Sequence, residues 1–112
     1  SDLTPEADIA SQLQTAIAKS LKSGDFHQQA IAQQFGISAK TLQRRLAKTG
    51  LTFQSLLDKT RLNIAKQQLA ETTLNLNKIS SELGFTEPRS FYRWFNKLTE
   101  QTPGDYRKRH RE

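Results

Sequence analysis

Nine side chains in this 112-residue sequence fall into two sets whose types and spacing could do chemistry. Lys40, Gln43, Arg44 and Lys48 lie at i, i+3, i+4 and i+8, which is one face of a helix. Arg89, Tyr92, Arg93, Asn96 and Lys97 make a second such face. The chemistry is hydrogen bonding to a polyanion. An arginine fork fits the paired acceptors of guanine and a glutamine amide fits the acceptor–donor edge of adenine, each pair worth about 1–3 kcal/mol of discrimination in a major groove. Those rules favour Arg44, Arg93 and Gln43 as base readers, and Lys48 and Lys97 as phosphate contacts, with Arg45 and Asn96 beside them. The hydroxyl residues Ser38, Thr41, Thr86 and Ser90 can offer O–H groups or helix-start amides to phosphates. Any solvated helix shows a polar face. What separates these two is that no acid interrupts either one, Glu87 standing only at the start of the second, where it favours the helix dipole.

The charge is distributed to match. The chain carries 17 Lys+Arg against 11 Asp+Glu, a formal +6. Residues 1–37 hold the acids Asp2, Glu6, Asp8 and Asp25 and only the bases Lys19 and Lys22, so the remainder is strongly basic. Such a regional bias is the electrostatic footprint of a polyanion binder, and a Lys-rich solvated surface gives the same count.

Seven helices, and no strand, are predicted to position these faces. Thr4, Pro5 and Glu6 form an N-terminal signal, and Ile9, Leu13, Ile17 and Leu21 follow as one apolar stripe. A short helix from about His27 to Gln34 turns Ile31 and Phe35 inward and ends at Gly36. Ser38 caps a helix of about 39–48 that buries Leu42 and Leu46. Thr52 caps a long helix to about Leu69, with Phe53, Leu56, Leu57, Ile64 and Leu69 as its apolar positions. Asn75 or Thr73 caps a helix holding Ile79 and Leu83; Thr86 caps one of about 87–98 burying Phe91, Phe95 and Leu98; Thr102 and Pro103 open the last. There is also an internal repeat: Ile31, Gly36, Ile37 and Ser38 align with Ile79, Gly84, Phe85 and Thr86, and the run 42–46 with 91–95. Each copy is a short helix, a glycine turn, a hydroxyl cap and a second helix carrying Arg, the layout of a helix-turn-helix.

The ordered set Gly36-Ile37-Ser38, Thr41 to Leu46, Gly50 to Phe53, Gly84 to Pro88, Phe91-x-Arg93-x-Phe95 and Thr102-Pro103-Gly104-x-Tyr106-Arg107 resembles the DNA-binding domain of the AraC/XylS family of bacterial transcription regulators. The resemblance runs from about residue 6 to residue 109. It implies an all-α fold of two helix-turn-helix subdomains joined by a long helix, over residues 1–51, 52–71 and 72–112, binding an asymmetric duplex site through successive major grooves. It places Lys40, Gln43 and Arg44 of the first reading helix, and Pro88, Arg89, Tyr92 and Arg93 of the second, at base-facing positions. Pro88 departs from a polar reader because it has no donor. A connector of about 18 residues spans roughly 27 Å at about 1.5 Å per residue, against about 34 Å between successive major-groove faces. A shortfall requires the duplex to bend or one helix to engage incompletely. The resemblance further implies a cytoplasmic activator or repressor with RNA polymerase as a partner of the full-length protein. It also implies an effector-binding or dimerisation domain outside this sequence, and a monomeric isolated domain.

Other chemistries find little footing. With zero Cys there is no thiol nucleophile, disulfide or cysteine-ligated metal. His27 and His110 are far apart with no ligand spacing, and no phosphate-loop motif exists, so no metal, cofactor or enzyme activity is expected. No apolar run reaches the ~18 residues of a membrane span. Asp58 and Arg61 read as a surface i, i+3 pair, Trp94 as packing between helices, and the run 107–111, Arg107 included, as a phosphate-facing tail or a solvated terminus. Two other binding classes fit the same residues: a sequence-tolerant architectural nucleic-acid binder, and a protein-interaction module built on Phe91, Tyr92 and Trp94. Uniform loss across all duplexes on substituting Gln43 or Arg93 marks the first, and salt-insensitive binding the second.

Overall fold

The structure is a computed structural model that describes residues 6–111. It is all-α: α1 (Glu6–Ser20), α2 (Gln28–Gln34), α3 (Ala39–Ala47), α4 (Phe53–Glu71), α5 (Leu76–Glu82), α6 (Pro88–Thr99) and α7 (Pro103–Arg109), with no strand among the described residues. The chain divides into two compact units, residues 1–60 and 61–112, so the boundary falls inside the continuous helix α4. α4 is therefore the last helix of one unit and the first of the next. The expected cap residues Thr4 and Pro5 lie outside the described residues.

In unit 1 the stripe Ile9, Leu13, Ile17 and Leu21 is buried, together with Ile31, Ala32, Phe35, Leu42 and Leu46. α1, α2 and α3 all pack on one another. Phe53, Leu56 and Leu57 add the first half of α4 to this core. Ser38 Oγ accepts from Thr41 N at 3.1 Å, the expected cap of α3. Thr52 Oγ1 does the same for α4, accepting from Ser55 N at 3.0 Å.

Unit 2 is built around aromatic rings. Phe91 and Phe95 are fully buried with Ile79 and Leu83, and Tyr106 of α7 meets Phe95 edge-on at 5.6 Å. Asn75, not Thr73, caps α5, its Oδ1 accepting from Lys78 N at 2.8 Å. Thr102 caps α7, accepting from Asp105 N at 3.0 Å, with Pro103 at the first helical position.

Three expectations need correction. Thr86 is not the cap of α6: the helix starts one residue later, with Glu87 extended at φ −136°, ψ 140° and no side-chain cap bond. Pro88 is the cause, because proline drives the preceding residue out of the helical region. Leu98 is not buried but 41 % exposed; Tyr106 closes over Phe95, one turn earlier in α6. Arg61 is not on the surface. It is 7 % exposed, and its Nε donates to Leu83 O at 2.9 Å.

Candidate nucleic-acid interface

The first exposed polar face is set by what α3 buries. Leu42 and Leu46 point into the core, so Lys40, Gln43, Arg44 and Lys48 are exposed on the opposite side. Arg44 is steered locally. The Ser38 hydroxyl donates to Thr41 Oγ1 at 3.0 Å, and the same oxygen accepts from an Arg44 guanidinium nitrogen at 3.3 Å. The cap thus runs on into the face, through Thr41 one turn before Arg44. Arg45, beside it in sequence, is half-buried. Gln28 at the start of α2 donates from Nε2 to Ala39 O at 3.4 Å, tying the first helix of this pair to the first turn of the second.

Gln43 also walls a groove of about 440 Å³ together with His27, Gln28, Thr52 and Gln54. These polar neighbours come from α4 and from the start of α2. The helical period of α3 carries no signal for them, because they meet Gln43 only through packing.

The second face is set by Phe91 and Phe95. Opposite them Arg89, Ser90, Arg93, Asn96 and Lys97 are exposed, and Tyr92 is 38 % exposed. Its ring centroid lies 5.9 Å from that of Phe91, so the ring stands at the edge of the core. Trp94 is half-buried and meets Phe85 at 5.4 Å and Phe91 at 6.3 Å, as expected of a packing residue. Pro88 occupies the first helical position and is half-buried. Thr86 is exposed ahead of the cap. No acid lies within α3 or α6.

Arg107 is placed differently from the rest of the expected phosphate set. It is half-buried; its Nε donates to Leu69 O at 3.0 Å, and a terminal nitrogen to Gln68 O at 3.4 Å and Thr72 O at 3.3 Å. Its guanidinium therefore caps the C-terminal carbonyls of α4, where the helix dipole favours a cation. Burial, and secondarily Arg111 nearby, lower its pKa from the ordinary arginine value. The rest of the run 107–111 is exposed, with Lys108 and Arg109 inside α7.

Among the described residues no cluster of His, Cys, Asp or Glu could hold a metal, and no helix is long and apolar enough to cross a membrane.

Comparison with known proteins points one way. A family model described as a helix-turn-helix domain matches residues 31–109. The ornithine utilization regulator of Pseudomonas aeruginosa is 36 % identical over 103 residues, covering 89 % of this chain and 30 % of that protein. The transcriptional regulator VirS of Mycobacterium tuberculosis is 34 % identical over 109 residues, covering 94 % of this chain and 31 % of VirS. The chain thus spans about a third of the length of these relatives. Among solved structures, the C-terminal domain of the response regulator yesN from Fusobacterium nucleatum superposes with a TM-score of 0.77 at 28 % identity, covering 87 % of this chain and 95 % of that one.

Proposed function

The chain belongs to the AraC/XylS family of helix-turn-helix transcription regulators, as a sequence-specific DNA-binding domain, and from that premise we propose that α3 and α6 each enter a major groove and read bases. Lys40, Gln43 and Arg44 read one block of base pairs; Arg89, Tyr92 and Arg93 read the other. Ser38, Thr41, Arg45, Lys48, Thr86, Ser90, Asn96 and Lys97 hold the flanking phosphates and carry no sequence information themselves. Arg107 is left out of that set, since its Nε and one terminal nitrogen face carbonyls at and just past the end of α4.

One observation carries the reading. Arg44 and Arg93 stand at corresponding places on two exposed, acid-free helix faces, each opposite a fully buried pair, Leu42 with Leu46 and Phe91 with Phe95. An arginine so placed is solvated when free and loses little on meeting a guanine edge. The full-length regulator acts in the cytoplasm with RNA polymerase as a partner, its effector or dimerisation segment outside this sequence, and the domain alone binds as a monomer.

The test is selection and sequencing of duplexes bound from a randomised pool at roughly physiological salt, which suppresses purely electrostatic binding. Two enriched blocks are expected, one lost in Arg44→Ala and the other in Arg93→Ala. A single block leaves one reading helix; binding with no enrichment refutes base readout by this domain.

A further inference from the structure

We propose that Arg61 is the positioning residue of the second reading helix: from α4 it clamps the turn between α5 and α6, and so fixes how Arg89, Tyr92 and Arg93 meet the bases. The inference rests on the reading of α6 as a base-reading helix.

Two contacts make the clamp. Arg61 Nε donates to the carbonyl of Leu83, the residue that ends α5, at 2.9 Å. The guanidinium carbon also lies 4.2 Å from the ring centroid of Phe85, two residues further on. One side chain thereby holds the turn on both sides of Gly84, whose φ of 89° makes it the pivot. The Phe85 ring meets Phe91 at 5.8 Å and Trp94 at 5.4 Å, both on α6 and each adjacent in sequence to a reading residue, Tyr92 or Arg93. The line from α4 to the reading face is therefore continuous: Arg61, Phe85, then Phe91 and Trp94.

The chemistry requires arginine. A 7 % exposed cation must have its donors satisfied, and a carbonyl at a helix C-terminus is a strong acceptor for it. Only a planar guanidinium can donate edge-on to that carbonyl while lying face-on over a ring; lysine has one compact charge and no face. The matching position in unit 1 is occupied differently. Leu13 stands as far before Ile31 as Arg61 stands before Ile79, and it is fully buried and aliphatic. The turn before α3 is set by packing and by the Ser38 cap; the turn before α6, with no cap bond from Glu87, depends on the clamp.

The duplex selection is run on the 112-residue chain and on Arg93→Ala, Arg61→Lys and Phe85→Leu. Each is tested well below its own melting midpoint, so that a residue with a merely structural role would leave base preference untouched. Arg61→Lys is expected to lower discrimination in the block read by α6 by roughly five- to tenfold, as a two-point base contact falls out of line, while the α3 block keeps its preference. Phe85→Leu, which removes the ring face and keeps an apolar side chain, should show the same pattern, and it decides the matter if Arg61→Lys does not fold. If Arg93→Ala alters neither block, the reading of α6 has failed and the inference with it. If Arg93→Ala alters its block while Arg61→Lys and Phe85→Leu do not, the reading stands and the clamp is overturned. Equal loss in both blocks on Arg61→Lys also overturns it.

Discussion

The two units share a layout and differ in what holds it together. Unit 1 has an aliphatic centre, with Leu13, Ile17, Leu42 and Leu46 at most 1 % exposed and the rings of Phe26, Phe35 and Phe53 at 7–9 %, and starts α3 with a hydroxyl cap. Unit 2 has rings at its centre, Phe91 and Phe95 with Tyr106 and Trp94 against them, and starts α6 on a proline with no side-chain cap. It then adds two guanidinium cross-links, Arg61 to Leu83 O and Arg107 to the carbonyls ending α4, where the first unit has leucine at the position matching Arg61. A repeated motif can thus keep its helix order while replacing apolar packing by directed hydrogen bonds, because both satisfy the same requirement: each helix end must be closed and each apolar face covered.

The largest expected effect separates the cores. Phe95→Ala removes a fully buried ring, at a cost of about 3–5 kcal/mol. If the units are separate cooperative blocks, amide exchange will show protection lost across residues 61–112 and retained in α1 to α3. Simultaneous loss in both would break the comparison and make the chain one folding unit.

Next come the reading faces. Arg44→Ala and Arg93→Ala should each weaken binding to the selected duplex by about 1–3 kcal/mol and relax preference at different base pairs. Titration against duplexes carrying single base-pair changes measures both. A uniform loss over all duplexes would reduce either arginine to a phosphate contact.

The caps give a smaller contrast. Ser38→Ala should cost about 1 kcal/mol in a denaturant titration, whereas Glu87→Ala should cost only the few tenths of a kcal/mol of its charge at the helix dipole, because Glu87 makes no cap bond. Replacing Glu87 by Asp, a shorter and better capping residue, should stabilise by a few tenths of a kcal/mol or more; no gain would mean that Pro88 holds residue 87 too far from cap geometry.

The smallest effect concerns two matching turns. Gly50 and Glu100 both stand two residues before a threonine cap and both have positive φ, 78° and 60°. A side chain there is strained by about 1 kcal/mol. Glu100→Gly should therefore raise the melting midpoint slightly, and Gly50→Ala, which meets open space but the same backbone strain, should lower it.

Much of this was legible in the residues. Apolar residues at helical spacing revealed the first six helices and the Thr102–Pro103 start signal the seventh, and hydroxyls at Ser38, Thr52 and Thr102 marked three starts, since a cap is a local event within four residues. The exposed polar faces of α3 and α6 followed from the buried pairs by subtraction. The start of α6 was misread because a hydroxyl at Thr86 suggested a cap, while the stronger local rule was the steric demand of Pro88 on Glu87. The groove beside Gln43 was out of reach, being assembled from helices distant in sequence.

The sequence by itself determined the helix order, the repeat, the basic faces and the family. Periodicity, caps and charge act over a few residues and need no knowledge of neighbours. Only the tertiary structure decided which arginines turn inward. Arg44 and Arg93 are exposed, while Arg61 and Arg107 turn inward to carbonyls 22 and 38 residues away in the chain. A long cationic side chain is equally at home in water or against a helix C-terminus, and the choice depends on whether folding brings such a terminus within its reach.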